Sequence, residues 1–273
     1  MSVRKPAVAG QFYPKEKHAL EEMINHLLGQ DSQKVSKNRV RAMILPHAGY
    51  MYSGRVAAQT VNSCALTKTF VILGPNHTGQ GEHFSIMTEG IWQMPMGDVA
   101  IDQELAETII RNSQYLKVDS AAHRFEHSIE VIIPFLQNFQ KEITMVPIVV
   151  MTANKSIYSS IAQDIVRGLK ASGRINDVMI IASSDMTHFE SQTLAEKKDQ
   201  YAIGAILNLN TDELIRRVDE WDISMCGVAP VSIMLEVVKD FGAKKATLVK
   251  YQTSGDTTGD FSSVVGYAGL RIS

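Results

Sequence analysis

Three histidines stand where apolar runs of strand length stop. Met43-Ile44-Leu45 runs into Pro46 and His47, Phe70–Leu73 (FVIL) into Gly74-Pro75-Asn76-His77, and Val178–Ala182 (VMIIA) into Ser183-Ser184-Asp185-Met186-Thr187-His188. The glycine, proline or serine beside each histidine marks a turn that holds the side chain at a corner. One histidine at a strand end is usually an ordinary turn residue. Three of them, delivered to the carboxyl edge of one α/β sheet where ligands bind, can share a site, and a metal ion is the natural occupant.

Other residues could join them. Asp185 lies three residues before His188, and a carboxylate beside two histidines suits non-haem iron(II). Cys226, in the run CGVAP, sits just ahead of an apolar helical stretch read as Val231–Phe241. A helix start lowers a thiol pKa and exposes the sulfur, so Cys226 is expected to ionise below the roughly 8.5 of a free cysteine. A thiolate would favour zinc, copper or iron over magnesium or calcium. Cys64 reads as buried and inert. The segment 119–139 adds His123, His127 and Glu130. Helix periodicity from Ser128 onward would put His127 and Glu130 on one face, three apart. They either point into the site or form a polar helix start with local pairing. Glu126 is also a helical neighbour of Glu130. His83 reads as a loop residue, and His18 and His26 as surface residues.

The spacing also excludes chemistry. The glycines of GPNHTGQGEH lack the Gly-Lys-Ser/Thr of a phosphate-binding loop, and there is no HExxH, paired CxxC or GxSxG.

These corners need a sheet to carry them. Thr144–Val150 and Val178–Ala182 join Met43–Leu45 and Phe70–Leu73 as buried-type strands, Phe84–Met87 is a further short one, and Thr247–Tyr251 and Val264–Ile272 close the chain. Helices are expected over Lys15–Leu28, Ser53–Val61, Asp102–Asn112, Ile157–Leu169, Leu194–Leu207 and Thr211–Val218, the last capped by Thr211. Asp31–Arg41 reads as a polar loop, and Gly90–Ala100 as turn-rich. Strands and helices alternate without a linker or repeat, which predicts a single α/β domain over 1–273: a three-layer αβα sandwich with a central mixed, largely parallel sheet.

The 273 residues carry 27 basic and 29 acidic side chains, a formal net charge of −2, which offers nothing to nucleic acid or an anionic membrane. No apolar run reaches the roughly 18 residues of a membrane span. No signal peptide is expected, and two cysteines make no disulfide framework, so the expected location is cytoplasmic.

Six segments in order, AGQFYP (9–14), PHAGYMYSG (46–54), ILGPNH (72–77), EHSIE (126–130), SSDMTH (183–188) and CGVAP (226–230), resemble the Memo (mediator of cell motility) family, related in fold to the class III extradiol dioxygenases. Those dioxygenases hold iron(II) with two histidines and a carboxylate and use another histidine for proton transfer. The resemblance implies that His47 and His77 are the metal histidines, that Cys226 stands where the dioxygenases have the carboxylate, and that His188 is the proton-transfer histidine with Asp185 near it. It implies iron(II) or copper and a redox role, with iron(II) first, and zinc stays open from the thiolate chemistry. A thiolate in place of a carboxylate adds an oxidisable ligand, so dioxygenase activity does not follow from the fold. Family members are also described as interaction proteins that take a phosphotyrosine peptide in the cleft, and microbial ones are often encoded near a radical SAM protein.

Two function classes compete. One is a metal-dependent, dioxygenase-like oxidoreductase acting on an unidentified small molecule. The other is a binding module whose vestigial metal cleft recognises a peptide or partner protein. Metal-assisted hydrolysis is a weaker third. The set His47, His77, Asp185, His188 and Cys226 favours chemistry, because a binding module needs neither a proton carrier nor a redox-capable ligand.

Overall fold

The computed structural model describes residues 2–29, 38–111 and 113–273, with Asn38 and Arg39 as backbone only. The loop expected over Asp31–Arg41 lies largely outside these residues, as does Asn112. One mixed sheet dominates the rest. Its path runs Val3–Arg4, Ile91–Trp92, Val99–Ile101, Thr144–Val150, Thr69–Pro75, Val178–Ser183, Ala42–Leu45, Val264–Ile272, His188–Glu190, with Ala246–Thr253 paired outside Val264–Ile272.

The strands from Val99–Ile101 to Ala42–Leu45 are parallel, and Val264–Ile272 joins them antiparallel. Helices cover both faces. Gln103–Ile110, Lys155–Ala171 and Val228–Asp240 pack side by side on one, Lys17–Leu28, Tyr50–Asn62 and Ile133–Phe139 on the other. The central strands therefore read as unbroken apolar runs rather than alternating ones, and Met43–Leu45, Phe70–Leu73 and Ile181–Ala182 are fully buried. The expected three-layer α/β architecture is what the chain forms. No helix of the described residues is long and apolar enough to cross a membrane.

Register sets the site. Ser183 pairs with Leu45, and Ala182 with Leu73, so three adjacent strands end at nearly one level. His47, His77 and Asp185 each follow a strand's last residue by two positions.

Several boundaries differ from expectation. The second helix starts at Tyr50, directly after Gly49. The expected helix from Ser128 is a turn, then a 3-10 turn Glu130–Ile132, then Ile133–Phe139, because Pro134 fits only a helix's first turn. Asn210, not Thr211, caps the helix Thr211–Glu220 by accepting the Glu213 N–H. The helix after CGVAP starts at Val228 rather than Val231, since Pro230 is tolerated in its first turn. The segment expected to be turn-rich, Gly90–Ala100, contains the strand Ile91–Trp92 and the start of Val99–Ile101.

Candidate metal centre

His47 is buried on the corner after Ala42–Leu45. Its backbone N–H donates to Asp185 Oδ1 at 2.8 Å, and its Nδ1 lies 2.6 Å from Ser183 Oγ. The Ser183 hydroxyl proton goes to the Ser128 carbonyl at 2.6 Å. Ser183 Oγ can therefore only accept from His47, which puts the imidazole proton on Nδ1 and leaves the Nε2 lone pair free. Burial first, then the charges of His77, His127 and His188, hold the His47 pKa well below its ordinary 6.5, so the ring is neutral.

His77 is the exposed member of the group. Its N–H donates to Glu126 Oε2 at 2.5 Å, and its Nδ1 lies 2.9 Å from Glu126 Oε1. A carboxylate only accepts, so His77 also carries its proton on Nδ1 and presents Nε2. Burial pushes the Glu126 carboxyl up. The hydrogen bond and charge of His77, the Ser128 N–H and His127 outweigh it and hold the carboxyl down at about 2.

Cys226 completes the group. Its Sγ lies 3.4 Å from His47 Nε2 and accepts the Asp185 N–H at 3.2 Å. Gly227 permits this approach: a Cβ there would lie 2.3 Å from Ser184 Cβ and 2.5 Å from the Ser183 carbonyl. Its N–H donates to Ser184 Oγ at 3.1 Å. The expectation of an acidic thiol is overturned for the metal-free protein. Burial first, then the Asp185 charge, push the Cys226 thiol well up, and the Asp185 N–H and Ser184 offset only part of this. With the helix starting at Val228, Cys226 precedes even the cap, Gly227, and the dipole cannot compensate for lost water. Cys64 is buried and pushed up as well, chiefly by burial.

One donor atom from each of His47, His77 and Cys226 fits within 4.8 Å of the others. Bonds of about 2.0 Å to nitrogen and 2.3 Å to sulfur at a tetrahedral angle would put N and S about 3.5 Å apart. The Sγ to Nε2 separation of 3.4 Å fits this. Imidazole nitrogens and a cysteine sulfur with nearby N–H donors suit a borderline or soft divalent cation.

The remaining sequence candidates separate. His127 belongs to the cluster: its ring centroid lies 4.8 Å from that of His77 and 5.6 Å from that of His47, and Phe12 meets it edge-on at 5.0 Å. Glu130 does not face the trio. Its carboxylate accepts Arg4 Nη1 at 2.5 Å, the N–H groups of Ala7 and Val8 at 2.8 and 3.0 Å, and Tyr13 Oη at 2.6 Å. The residues before it are not helical, so the i, i+3 argument that paired it with His127 does not apply.

Asp185 is outside the His47–His77–Cys226 group, and no hydrogen bond joins it to His188 among the described residues. It accepts the backbone N–H groups of His47 and Ala48, and burial pushes its carboxyl up to about 6 against those bonds and the charges of His188 and His77. His188 lies at the edge strand His188–Glu190. Its Nδ1 donates to the Ser224 carbonyl at 2.9 Å, so any ring lone pair His188 offers is on Nε2. His123 is buried edge-on to Trp92 at 6.1 Å, and His83, His18 and His26 are exposed.

Sequence reasoning missed the tautomer-setting groups, Ser183, Glu126 and Ser224. SSDMTH and EHSIE contain the first two, but a serine or glutamate beside a histidine signals nothing until the pairing partner is known.

An α/β fold with a mixed, mostly parallel sheet, and a histidine–cysteine group at its strand ends able to hold a metal ion, define the class of protein. The chain belongs to the Memo family: the Memo-like protein family matches residues 4–271. It is 41% identical over 271 residues to a MEMO1 family protein of Aquifex aeolicus, covering 99% of each chain. It is 42% identical over 286 residues to MEMO1 family protein MJ0403 of Methanocaldococcus jannaschii, again covering 99% of each. Among solved structures, uncharacterized protein JW3007 from Escherichia coli is similar in fold, with a TM-score of 0.57, 14% sequence identity, and coverage of 86% of this chain and 100% of that one.

Proposed function

We propose that His47, His77 and Cys226 hold one divalent metal ion, iron(II) ahead of copper or zinc, and that the chain is a metal-dependent, dioxygenase-like redox enzyme acting on a small molecule. One observation supports this above the rest. Each of His47, His77 and His188 has its Nδ1 proton committed, to Ser183, Glu126 and the Ser224 carbonyl respectively, and so presents a basic Nε2. Such outer partners fix a ligand's tautomer and ring orientation.

When bound, the ion would supply Lewis acidity and, for iron or copper, one-electron redox chemistry. His188 is proposed as the proton carrier: its ring is held from behind and its Nε2 can take up and return a proton. Asp185 positions the His47 backbone, and His127 adds an imidazole to the cleft wall. The relation to class III extradiol dioxygenases belongs to this proposal, and Cys226 in place of their carboxylate is where the donor sets part.

The test is metal analysis of protein purified without oxygen, followed by oxygen uptake with candidate substrates. His188→Ala should keep its metal and lose turnover by about 10²–10⁴-fold. Loss of metal from His188→Ala would contradict the role assigned to it.

A further inference from the structure

Three residues other than glycine have φ in the left-handed region among the described residues: Phe189 at +60°, Leu209 at +52° and Asp222 at +46°. Two follow from helix termination. Leu209 and Asp222 each stand two residues beyond the end of a helix, where the N–H groups of Asn210 and Ile223 close back onto the carbonyls of Ala205 and Val218. Phe189 has no such reason. It lies inside the edge strand His188–Glu190, at an irregularity in its pairing with Val264–Ile272.

A bulky side chain is disfavoured in this backbone region, where glycine or asparagine is the usual choice. Burial does not compensate, because Phe189 is 77% exposed. The left-handed twist does have one effect: successive side chains of a regular strand point to opposite faces, yet the Phe189 ring lies only 5.7 Å from the His188 ring, edge to face at 63°. The bulge brings an exposed phenyl beside the imidazole of His188, a residue tied by its backbone N–H and Nδ1 to Ser224, two residues before Cys226.

We propose that Phe189 is a ligand-contact residue that seats the apolar portion of the small molecule bound at the metal centre, and so sets its specificity. This rests on the reading that His47, His77 and Cys226 hold a metal. The occupant follows from this neighbourhood: Ser224, which holds His188, is two residues from Cys226, so a ligand anchored at the trio and extending along His188 would meet the phenyl. Strain kept at such a position marks a contact made to something outside the fold.

Zinc-loaded protein and two metal-anchored probes, acetohydroxamate and benzohydroxamate, test this by calorimetry. The advantage of benzohydroxamate over acetohydroxamate should fall about tenfold in Phe189→Ala and Phe189→Gly and persist in Phe189→Trp. Acetohydroxamate affinity should change by less than about twofold. Phe189→Gly relieves the left-handed strain and should melt no lower than the parent, so stability and selectivity part company, which a purely structural role would not produce.

An unchanged advantage in both truncated variants would overturn the proposal. So would equal loss of both probes together with a lower melting temperature, or a shift from a self-associated form to monomer with the advantage intact, since a second copy would then cover the ring. Protein that takes up no zinc and binds neither probe would remove the metal reading itself, an outcome told apart by metal analysis.

Discussion

The Sγ of Cys226 lies 3.4 Å from Nε2 of His47, although 179 residues separate them in sequence. The contact depends on close approach of two turns: Gly227 against Ser183 and Ser184, and the Asp185 N–H on the sulfur. Without metal the sulfur is a thiol, held protonated by burial and by the Asp185 charge. It can donate to the free Nε2 lone pair of His47. A metal entering between them must displace that proton.

Metal binding should therefore release about one proton per ion near neutral pH, and binding should tighten as pH rises. A weakly buffered titration with an indicator dye measures this. Cys226→Ser should bind more weakly and release almost none. Equal proton release by the parent and Cys226→Ser would take the sulfur out of the site.

Ser183→Ala tests the link behind His47. It removes the acceptor for Nδ1–H and the donor to the Ser128 carbonyl, while the corner itself remains held by Asp185. Metal affinity should fall about 10–100-fold, as for other losses of a ligand's outer partner. Competition against a chelator reads this directly. Unchanged affinity would mean that the His47 ring is oriented by packing alone.

The strand-end histidines were readable in the sequence because strand, corner and imidazole are local features, and register then assembled them: Ser183 level with Leu45, Ala182 with Leu73. Two things were not readable. A helix start argues for an acidic Cys226 thiol, but desolvation decides its pKa, and desolvation is a property of the packed neighbours. Helical spacing would relate Glu130 to His127, yet the helix does not include His127, and the partners of Glu130 lie more than a hundred residues away at Arg4, Ala7, Val8 and Tyr13. A carboxylate's partner at that separation leaves no local signal.

Glu130 and Arg4 make a fully desolvated pair that fastens the N-terminal segment, with the guanidinium also stacked 4.0 Å from the Trp92 ring centroid. Glu130→Ala leaves Arg4 buried without its counter-charge and should destabilise by roughly 3–5 kcal/mol. Glu130→Gln keeps the shape and should cost less. Urea unfolding of both variants, with metal content measured alongside, separates a structural clasp from a ligand. If Glu130→Gln lost its metal while keeping its stability, the carboxylate would belong to the centre after all.

Glu126 gives the fold a pH dependence of predictable sign. Its carboxyl is held at about 2 in the folded protein against an ordinary 4.5. A folded pKa below the unfolded one means that the unfolded chain binds the proton more readily as pH falls. The stabilisation is then complete above about 4.5 and is lost as pH drops towards 2, by about 3 kcal/mol in all. Other carboxylates titrate in the same window, so the measurement is a difference. The gap in unfolding free energy between the parent and Glu126→Gln, which keeps one acceptor oxygen for His77 but does not ionise, should shrink steadily as pH falls below about 5. A gap that stays flat down to about pH 2.5 would mean that the carboxylate charge adds nothing to holding His77, and that hydrogen-bond geometry alone fixes its ring.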